Sequence, residues 1–226
     1  MQTVTCKNCG KLHEIKCYPI INFQSASEEF INSVFSLELF KFHCDCGAET
    51  IVSYDTVIVD MYKKYIIYLY TSGSDESFYK EVGPVLDKMF SENEKYKEIY
   101  STLKHTRLVK SINELLEKLL IFDYDLEDTI IECIKLSLFK NQKLQDDKVQ
   151  MIYFDKLDGK NLLFTVISEN PEVPPKIIGI DIEYYNTIID TYKKIESASS
   201  DTNASFAKIN TEYILDLITK FEETQK

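Results

Sequence analysis

An α+β protein is predicted from three observations. Short apolar runs with loose alternation crowd the first 70 residues, and helical stripes fill 77–138. Twofold alternation then returns from 149 and gives way to two further stripes at helical spacing. With 44% hydrophobic residues in 226, a hydrophobic core is within reach, and only six Gly and five Pro argue against long unstructured tracts.

The elements follow in order. Leu12, Ile15, Cys17 and Ile20 to Phe23 are spaced as in strands. "SASEEFINSVF" reads as a helix, with Ser25 and Glu28 three apart as in a capping box and Phe30, Ile31, Val34 and Phe35 on one stripe. "LELFKFHC" is extended again, and two more strands near 49–54 and 64–70 complete a small sheet. "TSGSDES" at 71–77 is a polar break that offers a turn and a helix N-cap. Phe78, Val82, Val85, Met89, Tyr96, Ile99 and Leu103 then trace a helical stripe with a kink expected at Gly83–Pro84. One helix carries Leu108, Ile112, Leu115, Leu116 and Leu119, and the next Leu126, Ile130, Cys133, Ile134 and Leu138. Beyond 149, two strands flank Asp158–Gly159, a pair suited to a tight hairpin turn, and "IIGIDI" supplies a third. A helix bearing Tyr185, Ile188, Ile189, Tyr192 and Ile195 follows, then a flexible loop "SASSDTNAS", a short strand "FAKI" and a last helix with Ile214, Leu217, Ile218 and Phe221.

Charge narrows the function classes. The net charge of −11, with Arg107 the sole arginine, repels phosphate backbones, so nucleic acid is not an expected partner. The longest apolar runs, "YIIYLY" and "LLIF", fall far short of the roughly 20 residues of a membrane helix. "MQTVTCKNCG" has neither the basic start nor the apolar stretch of a secretion signal. The expectation is a cytoplasmic protein, where thiols stay reduced and paired cysteines more often hold metal than form disulfides.

Cys6 and Cys9 in C-K-N-C-G are the sharpest feature. Two thiolates with two residues between them can grip one tetrahedral ion from a tight turn, and the glycine after them tolerates the backbone twist. One turn supplies two ligands. Cys44 and Cys46 in "KFHCDCGAET", again followed by glycine, are the second pair, which gives structural zinc held by Cys6, Cys9, Cys44 and Cys46. If the second turn must also place two residues between ligands, His43 takes the place of Cys44. A redox role for Cys6 and Cys9 is the rival, but such thiols usually sit at the start of a helix, whereas strand, turn and strand surround Cys6. Cys17 and Cys133 read as packing residues, His13 as a solvated strand position although it stands near enough to Cys9 to ligate, and His105 receives no role. In "FDYDLEDTI", Asp125 suits a helix N-cap with Glu127 and Asp128 in the first turn, a better account than a calcium loop. No phosphate-binding glycine loop, GxSxG or HExxH occurs.

The order of these features resembles the CpXC domain family. The resemblance rests on "CKNCG", on "INFQSASEEFINSVFSLELFKFHCDCG" and "VDMYKKYIIYLY", and on "RLVKSINELLEKLLIFDYDLEDTIIECIKL". It places Cys6 and Cys9 at the first motif, with Lys7 where proline is usual, and Cys46 and Gly47 at the end of the second. There H-C-D-C replaces C-P-x-C, so alignment sets His43 at the first cysteine position. The resemblance implies a fold and a metal site but brings no established activity.

The sequence thus predicts an N-terminal zinc-ribbon-like β domain with an inserted helix (1–73), a central helical segment (74–145) and a C-terminal α/β domain with an antiparallel sheet (146–226). A closed four-ligand zinc leaves no position for substrate, so the expected role is an interaction or adaptor module with a protein partner. The alternative is an enzyme, either thiol-redox at Cys6 and Cys9 or acting in a cleft that sequence does not show.

Overall fold

A computed structural model describes residues 2–141, 144, 148–198 and 206–224. The fold is mixed α+β, and it divides into two compact units, Met1–Leu116 and Glu117–Lys226, with the boundary inside a helix, Ile112–Asp123. The sequence suggests divisions after 73 and 145 instead. The polar stretch at 71–77 falls inside the first unit, and the Asp55 carboxylate accepts from the Thr71 and Ser72 backbone N–H groups at its start, at 2.7 and 3.0 Å.

In the first unit, β1 (Gln2–Thr5) and β2 (Leu12–Ile15) form an antiparallel hairpin. After β3 (Ile20–Asn22) comes α1 (Glu28–Phe35), capped by Ser27, whose hydroxyl accepts from Phe30 N–H; Ser25, the expected cap, instead donates to the Asn22 carbonyl. A turn of 3-10 helix leads to a second hairpin, β4 (Lys41–His43) with β5 (Glu49–Ile51). Strands β6 (Thr56–Asp60), β7 (Tyr65–Leu69) and β8 (His105–Val109) join β3 in a sheet of order β3-β6-β7-β8. Its outer pairs are parallel and its central pair antiparallel. Ile21, Ile58, Ile66, Ile67 and Leu69 are fully buried in it.

Two of these strands depart from the sequence reading. "TVIVD" is a strand that the sequence reading lacks, and the burial of four consecutive residues, Thr56 to Val59, explains why alternation fails to reveal it. Leu108, read as helical, belongs to β8. The following helix begins after Ser111, whose hydroxyl accepts from Glu114 N–H while the Glu114 carboxylate accepts from Lys110 N–H.

Between β7 and β8, one turn, α2 (Asp75–Ser77), passes through a π-helical stretch, Phe78–Val82, into α3 (Gly83–Glu92) and then α4 (Glu94–Ser101). The irregularity falls at the expected kink. Pro84 has no N–H to continue the ladder, and Gly83 N–H reaches back five residues to the Phe78 carbonyl. Helix α5 (Ile112–Asp123) carries the chain across the boundary.

The second unit adds α6 (Asp128–Phe139), a three-stranded antiparallel sheet of β9 (Val149–Asp158), β10 (Asn161–Ser168) and β11 (Lys176–Asp181) in the order β11-β10-β9, then α7 (Ile182–Ala198) and α8 (Thr211–Thr224). The β9–β10 turn comprises Gly159 and Lys160, with Asp158 paired to Asn161; Gly159 carries the positive φ of 59°. "FAKI" is no strand: Phe206 has φ 56° and only Ala207 makes a bridge. Most of the loop "SASSDTNAS" lies outside the described residues.

Beneath this sheet lies a group of buried charges. Lys118 contacts Asp128 at 3.0 Å and Glu132 at 3.4 Å, and Lys135 contacts Glu117 and Glu132 at 3.0 Å each. Phe154 N–H of β9 donates to Glu117 at 2.7 Å, and the Thr211 hydroxyl to Glu132 at 3.1 Å. All five charged side chains are buried. Asp125, expected as a helix cap, is instead a turn residue with φ 55°, and Asp128 at the head of α6 has become an ion-pair partner.

Candidate metal centre

Each cysteine pair occupies the turn of one hairpin. In the first, Cys6 N–H donates to Lys11 O at 2.9 Å and Gly10 N–H to Cys6 O at 2.8 Å. In the second, Cys44 N–H donates to Ala48 O at 2.8 Å and Gly47 N–H to Cys44 O at 2.9 Å. The second turn therefore closes one residue sooner than the first. Cys44 stands where Cys6 does, at the mouth of its turn and buried, while Cys9 and Cys46 are both exposed. The spacing of one residue in C-D-C accompanies this shorter turn.

Gly10 and Gly47 close these turns with φ of 74° and 83°. A Cβ at either would meet nothing within 4 Å, so what demands glycine is conformation and not room. Gly47→Ala is expected to cost about 1–2 kcal/mol, a roughly 5–30-fold weaker hold on any bound metal, with Gly47→Asn milder. Titration with a competing chelator reads both.

The four sulfurs lie within 4.8 Å of one another, a group that could hold a metal ion. Across the hairpins, Cys6 Sγ is 3.7 Å from Cys46 Sγ, and Cys9 Sγ is 3.5 Å from Cys44 Sγ. A tetrahedral ion with metal–sulfur bonds of about 2.3 Å sets its sulfurs about 3.8 Å apart, close to both of these distances across the hairpins.

Electrostatics point the same way. Backbone N–H groups of Cys9 and Asn8 favour the Cys6 thiolate and draw its pKa down. The Asn8 side-chain amide, 3.4 Å from Cys46 Sγ, and the Ala48 N–H draw Cys46 down to about 6. At Cys44 the Cys46 N–H also favours ionisation, but burial and hydrogen bonds to the Cys46, Cys9 and Cys6 sulfurs prevail, and its thiol is pushed up to about 12. Sulfurs this close resist collecting four negative charges, and a divalent cation removes that conflict.

His43 lies apart from the four sulfurs. Its side chain is 62% exposed on β4, with Nδ1 3.3 Å from the Glu49 carboxylate. His13, expected to be solvated, is half-buried, with Nε2 3.2 Å from Cys44 Sγ and its ring packed on Phe42 at 4.9 Å between centroids. Sequence reasoning missed the contacts of His13 and Asn8 with the second pair, because both reach from one hairpin to the other. Cys17 and Cys133 are half-buried, outside the cluster, and burial pushes the Cys133 thiol up to about 12. Among the described residues no helix is long and apolar enough to cross a membrane.

A family model described as CpXC protein matches residues 4–135, which include all four cysteines and more than half of the chain. No curated protein and no solved structure matches.

Proposed function

We propose that this chain, which belongs to the CpXC protein family, uses Cys6, Cys9, Cys44 and Cys46 to hold one structural zinc ion that fastens two zinc-ribbon-like hairpins into an interaction module. The observation that carries the reading is the convergence of four sulfurs from two glycine-closed turns at tetrahedral spacing. Zinc is favoured because an all-thiolate tetrahedral donor set suits it, and reduced thiolates persist in the cytoplasm.

With four protein ligands no coordination position is left for substrate, which favours a binding role over catalysis at the metal. The redox alternative has less support, since Cys6 and Cys9 lie in a turn between two strands and not at the head of a helix. A cleft of about 490 Å³ beside the hairpins supports a protein partner: Tyr18, Phe30, Phe40, Phe42 and Tyr54 give it aromatic walls, and Lys16 stands among the polar side chains that line it.

Elemental analysis joined to thiol titration tests the metal reading. One zinc per chain, with four thiols masked until a chelator is added, is the expected result. Metal-free protein with a freely reactive Cys6–Cys9 pair would overturn it in favour of thiol chemistry.

A further inference from the structure

We propose that His13 is a positioning residue of the metal centre: its Nε2–H donates to the Cys44 thiolate and so secures the buried sulfur of the second hairpin from a strand of the first. The inference rests on the metal reading above and extends it to a side chain outside the four ligands.

Three observations converge on this role. The Nε2–Sγ distance of 3.2 Å is a hydrogen-bond distance to sulfur, and the mutually close set of possible ligands comprises the four cysteines without His13. The ring is held in place, since His13 pairs with Val4 on the β1–β2 ladder and packs against Phe42 of β4, so the nitrogen is fixed toward the sulfur. Cys44 is also shielded from water, so a side-chain donor there does work that solvent does little of. It is 6% exposed, in a cluster with Cys6 and Phe42 and with Val4, Ile15, Ala48 and Val52 packed around it.

The chemistry follows from charge. Four thiolates around a divalent cation leave a net charge of −2 in a chain already at −11. N–H donors to sulfur withdraw some of that charge and fix the direction of the lone pairs, the usual work of groups behind metal ligands. Asn8 does the same for Cys46 at 3.4 Å. Both side chains belong to the first hairpin and both sulfurs to the second, so the two hydrogen bonds cross between hairpins just as the metal does.

The test compares the full chain with His13→Phe, which keeps a ring against Phe42 and removes the donor, and His13→Gln, which keeps an N–H at similar reach. Zinc affinity is measured against a competing chelator, and cobalt(II) substitution provides the spectrum. His13→Phe is expected to bind zinc about 10–100-fold more weakly. Its sulfur-to-cobalt charge-transfer band should move to lower energy, while the ligand-field bands keep the four-thiolate pattern. His13→Gln should recover most of the affinity and the band position.

Zinc affinity of His13→Phe within twofold of wild type, with an unmoved band, would overturn the proposal. So would an equal loss in His13→Gln, which would assign the effect to packing. A changed ligand-field pattern in His13→Phe would make His13 a ligand and also refute a positioning role. Wild-type protein that takes up no metal is a different result: the metal reading itself then fails, and this inference with it.

Discussion

Cys44→Ser is expected to abolish stoichiometric zinc binding and to release both hairpins from their folded state while the β3-β6-β7-β8 sheet stays intact. The two hairpins have strands of only three and four residues, and among the described residues the cluster between them buries Cys6, Phe42 and Cys44, with Val4, Ile15, Ala48 and Val52 partly buried against it. Burying Phe42 contributes about 2–3 kcal/mol, whereas fixing the backbone costs about 1–2 kcal/mol for every residue ordered. Isolated two-stranded hairpins are marginal for this reason, and a structural zinc contributes on the order of 10–16 kcal/mol of apparent binding free energy. Hydrogen exchange on the loaded protein, the chelated protein and the variant checks it. Amides of 2–15 and 41–52 should lose protection together in the last two, while those of Ile58, Ile66 and Ile67 keep theirs. Retained protection of the hairpins without metal would show that they fold unaided.

Lys135→Met should be the most damaging single change in the second unit, costing about 3–5 kcal/mol in urea unfolding. It leaves Glu117, Glu132 and Asp128 buried, with Lys118 still beside Asp128 and Glu132. In the intact group, burial already holds the Glu117 carboxyl above the usual range despite the Lys135 ammonium, and losing that ammonium raises it further. A folded carboxyl with a raised pKa binds its proton more tightly than the unfolded chain does. Its contribution is therefore present at low pH and lost as pH rises through the folded pKa. The deficit of Lys135→Met relative to wild type should shrink as pH falls from 7 toward 5, and adding Glu117→Gln should recover some of it. A deficit that is the same at every pH would show that packing, not charge, is what the lysine supplies.

The cysteine turns were legible because metal chemistry constrains sequence directly: ligand type, short spacing and a following glycine all lie within five residues. That Cys44 and not His43 joins the sulfur cluster was not, because counting residues assumes turns of equal length, and the second turn closes one residue early. His13 and Asn8 left no local signal, since strand pairing and the approach of a distant hairpin bring them to sulfur. Leu108 misled because its distance to Ile112 and Leu115 fits a helical stripe, and only parallel pairing with Tyr68 makes it a strand residue. Glu117, Lys118, Glu132 and Lys135 carry no burial signal in the sequence, because charged helix residues are ordinarily solvated. Their opposite charges on successive helices were the available clue to their pairing, but it takes the sheet and the last helix to cover them.

The unequal exposure of the four sulfurs gives the proposed zinc a direction of travel. Cys6 and Cys44 lie under the hairpins while Cys9 and Cys46 face solvent, so an incoming thiol or chelator meets one outer sulfur from each turn first. Exchange then proceeds by unfastening that side while the inner pair keeps its grip, and the residence time of the ion depends on how readily the outer edge opens, separately from how tightly the closed site binds.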